Sequence, residues 1–363
     1  MIAFIFAALT SFVVSLILLP VIIGISQKNK FFDAPGGRRI HTKVTPSFGG
    51  IAIFFGFVVA SVAWVDEVKR TALFLLLSGI SISFIIGFLD DLIHLKPLMK
   101  IVGQLVAATI IFFILDIKLT SLYGLFGNET LPLPVSFLIT LFAIIIVTNS
   151  FNLIDGIDGL AATFSLVAMS FFGIWFMMVG TYHYALIAFS MCGGILAFLF
   201  QNWEPSRIFM GDTGSLVIGM VLAILTIEFL NENHQLPVGS AIKFQSSLGA
   251  AACAIILPLV DTVRVIIIRI RKKVSPLAAD KRHIHHALVR IGKSHRMAVS
   301  ILCILHLFFI SGAIALRQYS DKVVLPVVIG VAILLCLLLD RLIHRHTMEK
   351  ARRSAEIKMP FAR

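Results

Sequence analysis

The sequence predicts an all-α, polytopic integral membrane protein with about 11 transmembrane helices, from its composition and from the lengths of its apolar stretches. Hydrophobic residues make up 58% of the 363-residue chain and charged residues only 14%. Soluble domains contain about 45–50% apolar and about 25% charged residues. A soluble domain of this length could not bury so many apolar side chains, and the same composition excludes a disordered chain.

The apolar stretches have about the length that a helix needs to cross the bilayer, roughly 20 residues at 1.5 Å per residue. They cover residues 3–25, 48–65, 71–89, 98–115, 135–149, 160–179, 184–200, 214–230, 247–268, 298–316 and 323–340. The first is too long for a signal peptide and lacks a small-residue cleavage site, so we expect a retained helix. The fifth is short, which leaves a tilted or partly re-entrant segment open.

The positions of the basic residues predict which side of the membrane each loop faces. Most of the 31 lysines and arginines lie in loops that follow odd-numbered spans and in the C-terminal tail. By the positive-inside rule the N-terminus faces outward, and the basic, histidine-containing loop 269–297 and the basic tail 341–363 face the cytoplasm. The net charge of +12 is therefore mostly a topology signal, with affinity for anionic membrane lipids or an anionic substrate, and no nucleic acid partner is expected.

Polar side chains collect at the cytoplasmic ends of several predicted spans. They are Asp90, Asp91, Asn149, Asn152, Asp155, Asp158, Asn202, Asp212, His283, His285 and His286. An acidic side chain at the bilayer centre costs about 2.5–3.5 kcal/mol, and less near the interface. Polar residues gathered at one interface among basic loops therefore indicate a functional site within a single transmembrane domain, residues 1–363.

The double acid at the end of the third span has two interpretations. Adjacent residues of a helix point about 100° apart, so Asp90 and Asp91 cannot share one face. If the pair is functional, one carboxylate should face a substrate and the other a metal or a supporting residue. The alternative is a helix end with two solvated acids.

A second polar run, residues 149–159, follows the fifth span. Its polar residues recur at every third position, from Asn149 to Asp158, which on a helix forms a slowly winding stripe. Oxygen ligands at this spacing suit a hard cation such as Mg²⁺, and the two Asp-Gly steps allow the backbone to approach a ligand or to leave the helix. A capped helix-to-loop turn is the plainer alternative.

Two further segments carry candidate residues. Asp212, at the start of the eighth span, can serve as its N-cap or as a metal carboxylate. His283, His285 and His286 follow Arg282 in a loop without cysteine, which favours an anion clamp for phosphate oxygens over a zinc site. A solvated basic loop is the alternative.

In this order the motifs resemble those of the polyprenyl-phosphate N-acetylhexosamine-1-phosphate transferase family. The matching segments are residues 45–50, 90–91, 149–159, 209–212 and 283–286. The chain is more similar to the branch that loads GlcNAc-1-phosphate onto undecaprenyl phosphate than to the phospho-MurNAc-pentapeptide transferases. The pentapeptide branch typically has three consecutive histidines and then an acidic residue, whereas here Ile284 interrupts the histidines and Ala287 follows them.

The resemblance implies roles for the acids and amides that match the family's motifs. Asn152 and Asp212 would lie at the pyrophosphate and at Mg²⁺, with Mn²⁺ as an alternative metal. Asp90 and Asp91 would serve the lipid phosphate and catalysis, and Asp155 is a further catalytic or structural candidate.

The resemblance also implies which residues bind the nucleotide sugar. Those associated with the uridine are Asp158, Asn202 and Phe209. Those associated with the sugar-nucleotide phosphates are Arg282, His283, His285 and His286.

The reaction that the resemblance implies transfers an N-acetylhexosamine 1-phosphate from UDP-GlcNAc, or a related UDP-sugar, to undecaprenyl phosphate and releases UMP. It would take place at the cytoplasmic face of the bacterial inner membrane, as the first membrane step of a surface polysaccharide such as O antigen or another cell-wall glycan. A secondary transporter is the alternative from another class, although no internal repeat is visible and the polar residues collect on one side. The sequence leaves open the sugar, a one-step or covalent two-step route, and a homodimer.

Overall fold

The computed structural model describes residues 2–29, 45–127, 129–275 and 283–357. Within these ranges the chain forms twelve α-helices and no strand, apart from one isolated bridge between Ser121 and Thr130. The helices are α1 Ile2–Lys28, α2 Gly49–Trp64, α3 Glu67–Ile93, α4 Pro97–Ile114, α5 Leu133–Ile154, α6 Leu160–Val179, α7 Tyr182–Asn202, α8 Gly211–Gln235, α9 Ser247–Arg271, α10 Ile284–Arg290, α11 His295–Ala315 and α12 Asp321–Ile357.

The helices match the predicted spans. Of those in the described ranges, ten are long and apolar enough to cross a membrane, and the sixteen-residue α2 is apolar but shorter. Each predicted stretch coincides with one of these eleven helices or lies within it, to within one residue. The all-α, polytopic membrane fold is thereby confirmed, and the orientation of the termini stays a prediction.

Two elements extend further than their apolar stretches. The fifth helix, α5, has 22 residues and continues through Asn149 to Ile154, which is long enough to cross the bilayer without a re-entrant segment. Its polar end stays helical because Asn149 finds partners there, donating from Nδ2 to the Ile145 carbonyl (2.8 Å) and to Gln104 Oε1 (2.7 Å). The last helix, α12, continues from its apolar part into the basic tail as far as Ile357.

The eighth helix, α8, lies at the centre of the bundle. Nearly all of its residues are buried, as expected for a helix that is apolar on all sides, and α2, α3, α5 and α6 pack around it. The approach of α3 is so close that a methyl group at Gly87 would lie 2.4 Å from the carbonyl oxygen of Asp212. Glycine therefore lets the end of α3 touch the first turn of α8 directly, and the candidate residues of both helices meet there.

Candidate functional site

The centre of the site is a lysine held between two carboxylates from different helices. Lys100 lies in the first turn of α4, and its Nζ is 2.6 Å from Oδ2 of Asp90 on α3 and 2.5 Å from Oδ2 of Asp212 on α8. The three side chains are partly buried, with exposed fractions of 22%, 12% and 24%. Such charge-assisted bonds are about twice as strong as neutral ones, so the lysine ties the ends of three helices together.

The second acid of the pair has a different task. Asp91 accepts hydrogen bonds from the backbone N–H groups of Asp212 (2.8 Å) and Thr213 (2.9 Å) and from Thr213 Oγ1 (2.5 Å). It therefore caps the N-terminus of α8 from a neighbouring helix by bonding N–H groups that have no partner within the helix.

These contacts settle two expectations from the sequence. Asp90 and Asp91 face different partners, as their positions on a helix predict, and neither is a merely solvated acid. Of the two roles that the sequence leaves open for Asp212, the N-cap of α8 is wrong, because the helix already begins at Gly211 and its first N–H groups are bonded to Asp91. The Asp212 carboxylate is turned to Lys100 instead.

A backbone contact fixes the loop that precedes α8. The Phe209 N–H donates to the Pro46 carbonyl (2.7 Å), and the Gly49 and Gly50 N–H groups donate to the carbonyls of Phe209 (2.9 Å) and Met210 (2.9 Å). Gly211 then has φ +73°, a conformation that favours glycine. Residues 45–50 and 209–212, two of the segments on which the family resemblance rests, are thus joined by backbone hydrogen bonds. These bonds set the direction in which α8 starts.

Amide side chains of α5 connect this helix to α4 and α8 further along. Asn149 Nδ2 donates to Gln104 Oε1 (2.7 Å), and Asn152 Nδ2 donates to Ser215 Oγ (2.9 Å). Gln104 lies one turn beyond Lys100 on α4, and Ser215 lies three residues beyond Asp212 on α8, so each pair shares a helix face. We refer to Asp90, Lys100, Gln104, Asn149, Asn152, Ser215 and Asp212 as the polar ring.

Sequence reasoning did not select Lys100 or Gln104. The signal was present, because a lysine and a glutamine four residues apart inside an otherwise apolar stretch share one face and must find polar partners in the membrane. The partner of Lys100 could not be read from the sequence, since Asp212 lies 112 positions further along the chain.

The oxygen donors of the polar ring fit a hard divalent cation. Asp90 and Asp212 converge on a single positive charge, and Asn152 packs on the first turn of the helix that carries Asp212. Among the described residues no group of three or more His, Cys, Asp or Glu side chains encloses a metal. Mg²⁺ typically takes one or two protein carboxylates and completes its shell with water and substrate phosphates, and the converging carboxylates of Asp90 and Asp212 are donors of that kind.

The residues predicted at the uridine hold the neighbouring loops together. Asn202, buried at the end of α7, accepts from the Gly159 N–H (2.8 Å) and donates to the Ile208 carbonyl (2.9 Å). Asp158, also buried, accepts from the Ser206 N–H (3.2 Å) and lies 3.4 Å from His295 Nδ1. Both residues thus shape the loop that leads to Phe209, while their contact with a nucleotide stays a prediction.

The histidine motif lies against residues 155–158, the part of the polar run 149–159 that follows α5. His285 is almost fully buried, and a methyl group at Gly156 would lie 2.2 Å from its Nε2. Burial lowers the pKa of His285 well below its usual range, so this imidazole is neutral near pH 7 and cannot supply positive charge to an anion clamp. The half-buried His286 ring packs on His285 (centroids 4.2 Å apart), and Asp155 directly precedes Gly156 at the end of α5.

The remaining predicted site residues are His283 and Arg282. His283 is buried and its Nδ1 lies 2.8 Å from Oδ2 of Asp261 on α9, so one of its two ring nitrogens is already bonded to a carboxylate. Arg282 lies outside the described residues. The structure therefore brings together Asp90, Asp212 and Asn152 in the polar ring, and it places the histidine motif beside Asp155.

Comparison with known proteins gives consistent matches. A family model described as glycosyl transferase family 4 matches residues 73–230, a segment that contains the whole polar ring. The chain is 33% identical over 319 residues to a probable undecaprenyl-phosphate N-acetylglucosaminyl 1-phosphate transferase of Bacillus subtilis, covering 88% of this chain and 86% of that protein.

Two other relatives carry related names. The chain is 31% identical to a decaprenyl-phosphate N-acetylglucosaminephosphotransferase of Mycolicibacterium smegmatis, over 84% of this chain and 79% of that protein. It is 30% identical to an undecaprenyl-phosphate alpha-N-acetylglucosaminyl 1-phosphate transferase of Salmonella typhi, over 80% of this chain and 77% of that protein. The similarity therefore extends over most of each protein, not over a shared segment alone.

Proposed function

Because the chain belongs to the polyprenyl-phosphate N-acetylhexosamine-1-phosphate transferase family, we propose that it transfers GlcNAc-1-phosphate from UDP-GlcNAc to undecaprenyl phosphate and releases UMP. The observation that carries this proposal is the convergence of Asp90, Lys100 and Asp212 where the ends of three membrane-spanning helices meet. A site at a helix end lies near the membrane surface, where a lipid phosphate and a water-soluble nucleotide sugar can meet. The names of the relatives support the GlcNAc branch over the pentapeptide branch.

The chemistry requires that two anions approach each other. An oxygen of the lipid phosphate attacks the sugar-bearing β-phosphorus, and the bond from this phosphorus to the bridging oxygen breaks, so that UMP leaves with that oxygen. A lipid phosphate is already largely ionised near pH 7, since its second pKa is about 6. The protein therefore gains little from a general base and must chiefly orient the attacking oxygen and offset the repulsion.

Lys100 is positioned to orient the attacking oxygen and to offset the repulsion between the two anions. Its ammonium can contact a phosphate oxygen while Asp90 and Asp212 keep it in one position, so the two acids act on the lipid phosphate through the lysine. Asp91 contributes by holding the first turn of α8, which aims Asp212 at Lys100. On this proposal the double acid has one member in the catalytic centre and one that supports it.

Mg²⁺ would be held by Asp212 and Asn152, and when bound it would neutralise charge on the transferring phosphate and the leaving phosphate. The carboxylate of Asp212 and the amide oxygen of Asn152 are hard donors of the kind that this ion prefers. Mn²⁺ has similar ligand preferences and is the alternative metal.

We further propose that the site faces the cytoplasm of a bacterial plasma membrane. The loops on the side of the polar ring include the most basic segments of the chain, and basic loops stay in the cytoplasm. A secondary transporter is not supported, because the candidate residues lie at one end of the helices and the relatives are transferases.

The test is release of UMP by the purified protein from UDP-GlcNAc, given undecaprenyl phosphate and Mg²⁺. We expect UMP and a lipid-linked GlcNAc pyrophosphate in equal amounts, and a panel of UDP-sugars would define the donor. Asp212→Ala should abolish the reaction, whereas Asp116→Ala should not, because Asp116 is 78% exposed and pairs with Lys118 away from the polar ring. Turnover without the lipid acceptor, or full activity of the Asp212 variant, would refute the proposal.

A covalent route through a phosphorylated carboxylate is the mechanistic alternative. The single-step route requires that UMP is formed only when lipid phosphate is present. A rapid-quench experiment with UDP-GlcNAc in excess over the enzyme and no acceptor should therefore yield no burst of UMP, and a burst that approaches the enzyme concentration would favour the covalent route.

A further inference from the structure

A buried acid outside the polar ring controls the position of the histidine motif. Asp261 lies on α9, is 6% exposed, and directs its carboxylate at α10. Its Oδ2 is 2.8 Å from His283 Nδ1, and both carboxylate oxygens accept from the backbone N–H of Ile284 (3.3 Å each). One side chain therefore holds both the imidazole that precedes α10 and the first residue of that helix.

The carboxylate of Asp261 is itself fixed by a neighbouring ion pair. Arg264 donates to Oδ1 of Asp261 from Nη2 (2.8 Å) and Nε (3.2 Å), and its Nη1 reaches both oxygens of Asp340 on α12 (2.9 Å each). A buried carboxylate oxygen that accepts two bonds from one arginine is held in one orientation. Three helices, α9, α10 and α12, are joined through this network.

The contact with Asp261 also determines which ring nitrogen of His283 carries the proton. When one ring nitrogen of a histidine faces a carboxylate, that nitrogen carries the proton, and the other nitrogen is left to accept or, once protonated, to donate. Asp261 therefore keeps the proton of His283 on Nδ1 and directs Nε2 away from α9. Nε2 is buried and has no hydrogen-bond partner among the described residues.

The orientation of α10 also determines how its histidines contact the backbone of residues 155–158. His285 and His286 are carried by α10, and a methyl group at Gly156 would lie 2.2 Å from His285 Nε2 and 3.1 Å from His286 Cε1. The rings therefore pack on the backbone between Asp155 and Asp158 with no space to spare. A rotation of α10 would move either the rings or that backbone.

We infer that Asp261 is a positioning residue of the transfer reaction, which acts by orienting His283 and the first turn of α10 against the Gly156 backbone. The inference rests on the proposed function, since it concerns the rate of that reaction. Asp261 touches no reacting atom in this arrangement, and its effect passes through His283. Removal of the carboxylate should lower turnover without removing a substrate contact.

The test is a double-mutant cycle on the full-length protein in detergent, with UMP release as the readout. Asp261→Asn retains the size of the side chain but presents an amide N–H₂ to His283 and so disfavours the Nδ1 proton. We expect kcat to fall about 10- to 100-fold, with little change in KM for UDP-GlcNAc. His283→Ala should give a similar loss, and the double variant should be no slower than the slower single variant.

The controls separate positioning from a general loss of structure. Asp116→Asn makes the same chemical change at an exposed carboxylate that pairs with Lys118 away from this network, so it should keep the parental turnover. Thermal unfolding of each variant shows whether it is folded. If Asp261→Asn does not fold, Asp261→Glu, which keeps the charge but displaces it, serves in its place and should lower kcat while unfolding at the parental temperature.

The outcomes differ for the two proposals. Losses that multiply in the double variant, or parental kcat in a folded Asp261 variant, would overturn the positioning role and leave the proposed function intact. A parental protein that releases no UMP from any UDP-sugar with undecaprenyl phosphate would overturn both.

Discussion

Replacement of Lys100 by methionine is the most direct test of the site, because it removes one charge and keeps most of the side-chain volume. In the parental protein the ammonium makes two charge-assisted hydrogen bonds, at 2.6 Å to Asp90 and 2.5 Å to Asp212. Each such bond is worth about 1.5–3 kcal/mol, so the pair amounts to ~3–6 kcal/mol before relaxation. The two acids keep some exposure, 12% and 24%, and water can solvate them, so we expect the loss of folding stability to lie at or below the lower bound.

The effect on turnover should be larger than the effect on stability suggests. Loss of one preorganised donor to a developing charge costs about 10²–10³ in kcat, or about 2.7–4 kcal/mol. We therefore expect Lys100→Met to reduce kcat for UMP release by about this factor in protein that still unfolds cooperatively. Lys100→Arg retains a positive charge in the same region and should recover part of the loss.

The assay is the initial rate of UMP release at saturating UDP-GlcNAc and undecaprenyl phosphate, with thermal unfolding in the same detergent. Lys118→Met is the matched control, because Lys118 also pairs with an aspartate, Asp116, but at the other end of α4. Parental kcat in folded Lys100→Met would refute the reasoning. So would an equal loss in the Lys118 variant, since the effect would then be one of net charge.

Three further predictions follow from the same geometry. Gly87→Ala should lower the free energy of unfolding by about 1–3 kcal/mol, because its methyl group would collide with the Asp212 carbonyl. Chemical denaturation measures this loss. Gly312→Ala is the control and should not destabilise the protein, because there is open space around Gly312. A membrane-impermeant maleimide should label Val238→Cys on intact cells, and Arg207→Cys only after permeabilisation; the reverse pattern would contradict the predicted topology. Acidification below about pH 6.5 should destabilise the parent more than His285→Gln, because the unfolded chain binds a proton that the buried imidazole excludes; equal pH dependence of their thermal unfolding would contradict this.

The fold was largely predictable, because hydrophobicity is a local property of the chain. Each predicted apolar stretch coincides with a helix or lies within one, and the main differences arise where polar residues continue a helix. The fifth span was predicted to end at residue 149, yet α5 reaches Ile154 because Asn149 and Asn152 are bonded to Gln104 and Ser215 on neighbouring helices. Those partners are absent from any local window of the sequence.

The candidate site was predictable in part. Asp90, Asn152 and Asp212 were selected from spacing and resemblance, and all three contribute to the cluster around Lys100 or lie next to it. Between the two roles left open for Asp212 the sequence could not decide, because it does not reveal that Asp91, 121 positions earlier, bonds to the Asp212 N–H. The sequence alone does not single out Lys100, because a single basic residue at the edge of a span is also typical of the membrane interface.

By itself, the amino-acid sequence predicted an all-α protein with about eleven membrane-spanning helices, and it determined that the chain carries the ordered motifs of a transferase family. Both properties are local: hydropathy is a sum over about 20 consecutive residues, and each motif spans only a few positions. Only the tertiary structure decided which acid meets Lys100, which acid caps α8 and which acid orients His283. Those outcomes depend on how each helix is rotated and how closely the glycines let neighbouring helices approach, and packing of the whole bundle sets both.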